Sequence, residues 1–571
     1  MSIKQKTIDL IDALKASCKQ AGLGNDGNEY KIITQVFLYK FLNDKFGYEV
    51  KKVSKKLRDA EKWEEEYKKM SQSEILDLFD KLSPDIPRLY PEHVIANLWN
   101  QQTKGDFDLI FDSTMIDIAE KNIDIFSTMT DEKTKIPLFE KLTIFVTDEA
   151  KRTPFARALV DKLVNFSFVE AFSEHYDFFA TIFEYLIKDY NTAGGGKYAE
   201  YYTPHSIATI MAKLLVETNE GLHDIEVYDP SAGTGTLLMA LAHEVGEDKC
   251  TIYSQDISQR SNKMLKLNLI LNNLVSSLDH AIQGDTLVSP FHKSDNGKEL
   301  RQFDFIVSNP PFKTDFSDTR NTVAAMTSRF WAGVPNIPAK EKDSMAIYTC
   351  FIQHVINSLN EKGKAAVVVP SGFLTDTGSI TTAIREKLIS EKWLRAVIQM
   401  PTNIFANTNT SVSVVFIDKE HQHDTVMMVD ASRMGKQEKI DDLTKTVFSE
   451  TDIQSIINAV NSKEQIPEFS IEVSLDDILK NSNLIKPGLY FKMNYSLLSS
   501  FAPNMETEIC KMKQRKMGLI RVLRSSYAQQ LIVDWFVEFN RAYNSNKHLT
   551  EYGEFPEELE LVSLDSLIEQ T

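Results

Sequence analysis

The chain has 571 residues, of which 42% are hydrophobic and 25% charged, and its 64 Lys and Arg against 81 Asp and Glu give a formal net charge of −17. At about 100 to 200 residues per domain, this length implies roughly three domains of ordinary globular composition. The charge argues against a protein that grips nucleic acid with its whole surface, because phosphate binding depends on Lys and Arg displacing counterions; a local basic groove or a basic partner stays open. Cys18, Cys250, Cys350 and Cys510 stand far apart, with no CxxC pair and no His cluster, so neither a disulfide framework nor a metal site is expected. The start, "MSIKQKTIDLIDALK", lacks the apolar core of a signal peptide, and no apolar run approaches the ~18 residues of a membrane span. These features predict a cytoplasmic protein with no membrane segment.

Residues 1–165 show helical periodicity and few glycines, which predicts a helical N-terminal domain. In "EYKIITQVFLYKFLNDKFGYEV", Ile32, Ile33, Val36, Phe37, Tyr39, Phe41 and Leu42 fall within one broad stripe. At "NTAGGGKYAEYYTP" three successive glycines mark a joint before a helix, "HSIATIMAKLLVET". Within 166–425 the chain alternates strand-like runs with helical segments: "IEVYDP", "CTIYSQD", "HAIQGD", "FDFIVSNP", "GKAAVVVPSG", "LRAVIQMP" and "TSVSVVFID". Such alternation predicts an α/β domain with a mostly parallel sheet covered by helices. The last two runs are separated by only about ten residues, around "TNIFANTN", which suits an antiparallel hairpin at that end. Beyond about 420 the alternation is expected to stop, leaving 426–571 as a mostly helical C-terminal region. Its "KMKQRKMGLIRVLR" (511–524) holds six basic and no acidic residues, and the last 21 residues hold seven acidic and no basic ones. The basic run reads as a solvated helix face or as a contact with nucleic acid or a partner subunit.

Four strand ends carry residues suited to chemistry. In "VYDPSAGTGTLL" a short strand ends at Asp229, a turn of small residues passes through Ser231, Ala232, Gly233 and Gly235, and a helix begins near Thr236. Glycines let a ligand approach the backbone there, and a helix start offers free N–H groups, so the turn suits a nucleotide-type cofactor. It is neither the GxGxxG of dinucleotide enzymes nor a P-loop, which disfavours hydride and phosphoryl transfer. Some twenty residues on, Asp256 ends the next strand and can accept from both hydroxyls of a ribose, or simply cap a turn. Asp285, in "IQGDTL", is suited to accept from an adenine amine or to form a turn. In "DFIVSNPPFK", two prolines that cannot donate ladder hydrogen bonds follow an apolar strand, so the chain has left the sheet. Asn309 and the Pro310 carbonyl then offer two acceptors side by side for an NH2 group, and Phe312 offers a face for a planar base.

The combination of "YYTP", "DPSAGTG" and "NPPF", in that order, resembles the S-adenosylmethionine-dependent adenine-N6 DNA methyltransferases of the gamma arrangement. With the helical N-terminal region, residues 1 to about 480 look most like the modification subunit of type I restriction-modification systems. The resemblance implies a Rossmann-like methyltransferase core with S-adenosyl-L-methionine as cofactor. Glu200, Tyr201, Tyr202, Thr203, Pro204 and His205 would hold its methionine end, with Asp229, Ser231, Ala232, Gly233 and Gly235 forming the cofactor turn. Asp256 would take the ribose, Asp285 the adenine, and Asn309, Pro310, Pro311 and Phe312 the target base. His205 departs from the family, which often carries Arg there. The partners implied are double-stranded DNA, a specificity subunit and a restriction (translocase and endonuclease) subunit, with two copies of this chain per specificity subunit. No segment after "NPPF" reads as a dedicated target-recognition domain, which fits recognition by another chain. Methylation of RNA or of a protein amide, and an inactive cofactor-binding scaffold, are the alternative readings.

Overall fold

The computed structural model describes residues 2–24, 28–125, 127–130, 134–173, 178, 180–183, 185, 203–218, 220–294, 296–405, 411–440 and 443–491. Met1–Tyr490 form one compact unit and Phe491–Thr571 a second. The "NTAGGG" joint, Glu200, Tyr201 and Tyr202, the basic run at 511–524 and the acidic tail lie outside the described residues.

In the first unit the strands, in chain order, are β1 (Ser127–Thr130), β2 (Lys135–Pro137), β3 (Ile225–Asp229), β4 (Cys250–Asp256), β5 (Ala281–Gln283), β6 (Phe303–Ser308), β7 (Leu359–Pro370), β8 (Leu394–Gln399), β9 (Val412–Asp418), β10 (Thr425–Asp430), β11 (Lys436–Ile440), β12 (Leu443–Val447) and β13 (Ser470–Ser474). Eleven of them form one sheet in the order β13-β10-β8-β9-β7-β6-β3-β4-β5-β1-β2, while β11 and β12 pair as a separate ribbon. Strands β5, β4, β3, β6 and β7 run parallel to one another. The chain builds outward from β3 through β4 to β5, then crosses back to place β6 on the other flank of β3. The carboxyl ends of β3 and β6 therefore adjoin at a topological switch point, where open α/β sheets place their ligands.

The strand runs are almost continuously apolar because both faces are covered. Val227, Val307, Ala366, Val368, Val414 and Phe416 point into one core, shared with helices His205–Leu215, Thr236–Val245 and Gln259–Leu271. Their neighbours Tyr228, Ile306, Ala365, Val367, Val415 and Ile417 point into the other, with helices Tyr348–Ser358 and Ser379–Ser390. The period of two along each strand thus fills two layers.

The N-terminal region is mainly helical, and its own core is continuous with the first of these layers. Helix Glu29–Val53 buries the whole predicted stripe. It also buries Lys40, whose ammonium lies 2.9 Å from Asp44 one turn on. Two features extend the sequence reading. The N-terminal region also supplies β1 and β2, and β1 joins the sheet parallel to β5. Lys266 fastens this edge by donating from Nζ to the carbonyls of Ser127 (2.5 Å) and Leu278 (2.6 Å).

The expected end of the sheet near residue 425 is corrected. β10 pairs parallel with β8, and β13 pairs antiparallel with β10. The β8/β9 hairpin forms as expected, but β9 lies between β7 and β8 rather than at the end of the sheet. Strand partners are chosen by long-range burial, which spacing along the chain does not reveal. No helix among the described residues is long and apolar enough to cross a membrane.

Candidate active site

At the end of β3, Asp229 is 1% exposed, and its Oδ1 accepts from the backbone N–H (2.9 Å) and the hydroxyl (3.3 Å) of Ser231. Burial pushes its carboxyl up to about 8. The turn then passes through Gly233 and Gly235 at φ +52° and +84°, in the left-handed region. A Cβ on Gly235 would meet the end of the Leu265 side chain, which would have to shift.

Asp256, at the end of β4, accepts from the Gly233 N–H through Oδ2 and from the Ser258 N–H through Oδ1, each at 2.8 Å. Burial raises its carboxyl above the ordinary range against these two bonds. Each oxygen keeps a second lone pair for a ligand donor. Asp285 follows β5 and uses Oδ1 for its own turn, accepting from the N–H groups of Leu287 (2.9 Å) and Val288 (3.2 Å). Thr286, beside it, donates to the Pro230 carbonyl at 2.7 Å and so braces the cofactor-type turn. Arg329 in turn holds this loop through the carbonyls of Thr286 and Leu287.

The Asn-Pro-Pro-Phe loop leaves the end of β6. Asn309 is 7% exposed and donates from Nδ2 to the Thr203 hydroxyl at 3.0 Å. Ser308 Oγ lies 2.8 Å from Ser231 Oγ, joining the loop bases after β3 and β6. Phe312 is half-buried and meets Tyr348 edge-on, with ring centroids 6.4 Å apart. Tyr348 meets Phe373 in the same manner at 6.2 Å, so the Phe312 ring is backed by aromatic packing.

Thr203, Asp229, Ser231, Ala232 and Asn309 line one cleft, together with Thr234, Thr236 and Leu237. Gly233 and Asp256 adjoin it through their hydrogen bond. Pro204 caps helix His205–Leu215, accepting from Ile207 N–H at 3.0 Å and Ala208 N–H at 3.1 Å, and His205 begins that helix. Sequence reasoning missed Thr234, Thr236 and Leu237 as lining residues, and Thr286, Ser308 and Arg329 as supports. The first three could have been found from their place in the turn and first helical residues. The supports depend on contacts between distant segments and leave no local signal.

Two groups elsewhere carry metal-type side chains. Asp418, Glu420 and His421 lie at the end of β9, on the side of the sheet's strand ends opposite the cleft, where Asp418 accepts from His421 (3.1 Å) and His423 (3.0 Å), and Lys364 pairs with Glu420 (3.1 Å). In the other, His93 Nε2 lies 2.5 Å from Asp117, while its Nδ1 accepts from the Tyr90 N–H. Both read as internally paired ion clusters. A cavity of about 310 Å³, lined among others by Phe41, Lys45, Phe172, His243 and Asn272, contains none of the predicted site residues.

The family described as N-6 DNA methylase matches residues 174–496, more than half of the chain. The chain belongs to the N-6 DNA methylase family. The chain is 27% identical over 320 residues to the type I restriction enzyme MpnII methylase subunit of Mycoplasma pneumoniae, covering 55% of this chain but only 57% of that relative. It is 25% identical over 472 residues to the MjaVIII methylase subunit of Methanocaldococcus jannaschii, covering 81% of this chain and 75% of the relative. In fold it is similar to the crystal structure of the type I restriction-modification methyltransferase subunit from Streptococcus thermophilus. The TM-score is 0.69 at 20% identity, over 86% of this chain and 99% of that one.

Proposed function

We propose that this N-6 DNA methylase is the modification subunit of a type I restriction-modification system, transferring a methyl group from S-adenosyl-L-methionine to N6 of an adenine flipped out of double-stranded DNA. The observation that carries this reading is the shared cleft at the switch point, where the Asp229 to Gly235 turn meets Asn309. The curated relatives' type I methylase names support the assembly context.

The donor set fits S-adenosyl-L-methionine. Asp256 keeps one lone pair on each oxygen for the ribose hydroxyls, and Asp285 keeps Oδ2 for the adenine amine. Thr203 and the segment from Glu200 to His205 would hold the methionine end, with Ser231, Ala232 and Gly233 along its backbone. When bound, this cofactor supplies a sulfonium methyl already activated for transfer. The chain's own contribution is then positioning and electrostatic matching. Adenine N6 is a poor nucleophile because its lone pair is delocalised into the ring. Acceptors at Asn309 Oδ1 and the Pro310 carbonyl favour a more tetrahedral nitrogen, and Phe312 stacks on the flipped base. Stacking of about 1 to 3 kcal/mol offsets part of the few kcal/mol that flipping costs.

In this reading residues 1–165 and the segment beyond about 490 serve assembly around the methyltransferase domain, whose sheet runs on through β10 and β13. A cytoplasmic complex would hold two copies per specificity subunit, with a restriction subunit as the third component. The test is incorporation of labelled methyl groups into unmethylated DNA by the purified chain, with and without a specificity subunit. Efficient sequence-specific methylation requires the partner on this account; equal activity without it would show that this chain reads its own target.

A further inference from the structure

The contact between Asn309 and Thr203 joins residues 106 positions apart, and both are nearly enclosed, at 7% and 4% exposure. Each precedes a proline, Pro310 and Pro204 respectively. A residue before proline is confined to extended backbone, so both side chains leave stiff supports. Pro204 is held further by the two helix N–H groups it accepts.

The asymmetry of the amide decides which of its ends must face the substrate. One end of an Asn side chain only donates and the other only accepts, and the two ends have nearly the same shape. An exocyclic amine needs the accepting end. A rotation of 180° about the last side-chain bond would present N–H groups to N–H groups and oppose binding of the base. In the structure the Nδ2 end is committed to the Thr203 hydroxyl, and Oδ1 carries no hydrogen bond from the described residues.

We infer that Thr203 is a positioning residue for the transfer step: its hydroxyl, hydrogen-bonded to Asn309 Nδ2, holds the amide in place with Oδ1 turned to the substrate amine. This inference rests on the proposed adenine-N6 chemistry and adds a role separate from holding the cofactor. The hydroxyl links the helix that opens at His205 to the loop that leaves β6. Placement of the amide is therefore built into the fold before the base arrives, as preorganised catalysis requires.

The experiment compares wild type, Thr203→Val, Thr203→Ser and Asn309→Ala as full-length chains with the specificity subunit. It measures S-adenosyl-L-methionine affinity by calorimetry and turnover at saturating cofactor. Valine keeps the shape and removes the hydroxyl, so turnover at saturating cofactor falls about 10- to 100-fold, the size expected of a misaligned reacting group, whatever share of cofactor affinity is lost with it. Serine restores turnover, because it restores the hydroxyl. Cofactor affinity also reports folding; if the valine variant binds no cofactor, Thr203→Ala, which cannot overpack the site, is read in its place. Weakened cofactor binding with normal turnover at saturation overturns the inference and leaves Thr203 as a cofactor contact alone. Unchanged turnover in the hydroxyl-free variants, or failure of serine to restore it, also overturns the inference. Full activity in Asn309→Ala is a different failure, since it removes the catalytic reading of the loop itself.

Discussion

Ser231 Oγ and Ser308 Oγ stand 2.8 Å apart across the switch point, linking residues 77 positions apart at the bases of the two loops that share the cleft. Ser308 is fully buried, so solvent does not replace a lost partner there. Ser308→Ala is expected to lower stability by about 0.5 to 1.5 kcal/mol, the usual net contribution of one hydrogen bond. Ser231→Ala should cost more, because it also removes the hydroxyl that donates to Asp229. The double variant should fall short of the sum, because the two changes share one bond. Urea denaturation of the three variants checks this, and strict additivity would show that the pair is not coupled.

Asp256 is braced by two backbone N–H groups and still has a lone pair on each oxygen. Asp256→Ala is expected to weaken S-adenosyl-L-methionine binding by about 1.5 to 3 kcal/mol, the range for hydrogen bonds to a charged group. Calorimetry reads this directly. An unchanged dissociation constant would remove Asp256 from the cofactor site.

Phe312 should matter for the base and little for the cofactor. Phe312→Ala is predicted to lower turnover severely with cofactor affinity nearly unchanged, whereas Phe312→Trp should keep part of the activity because a stacking face remains. Equal loss in the two variants would show that the ring acts through packing against Tyr348 and not through stacking.

Asp229 gives the site a pH signature. Burial pushes its folded-state carboxyl up from the ordinary 3.8 to about 8. Between these values the folded state binds the proton and the unfolded state does not. The stability associated with this proton is fully present below about pH 4 and is lost as pH rises through about 8. Asp229→Asn, which cannot ionise, should flatten that part of the stability profile. Denaturant midpoints measured from pH 4 to 9 check it, and parallel profiles for the two proteins would contradict it.

The cofactor-type turn and the Asn-Pro-Pro-Phe loop were legible in the sequence because each interrupts an apolar strand with residues that cannot continue it. Gly233 and Gly235 supply left-handed backbone, and Pro310 and Pro311 remove donors. β1 escaped notice because "STMT" is short and polar, and it is held by partners far along the chain: β5 and the buried Lys266. β10, "TVMMVD", fell beyond the point where the alternation was expected to stop, because its membership of the sheet depends on pairing with β8 and β13. The site was legible as a set of loop residues. Its supports, Thr286, Ser308 and Arg329, were not, since each acts through a contact between distant segments.

The central claim is that this chain methylates adenine N6 in DNA through Asn309. The most direct measurement is nucleoside analysis of unmethylated DNA after incubation with S-adenosyl-L-methionine and the chain together with its specificity subunit, for wild type and Asn309→Ala. The account predicts N6-methyladenine with wild type and a collapse of its formation with Asn309→Ala, at nearly unchanged cofactor affinity. Methyl groups found instead in RNA or protein, or undiminished N6-methyladenine from Asn309→Ala, would contradict it.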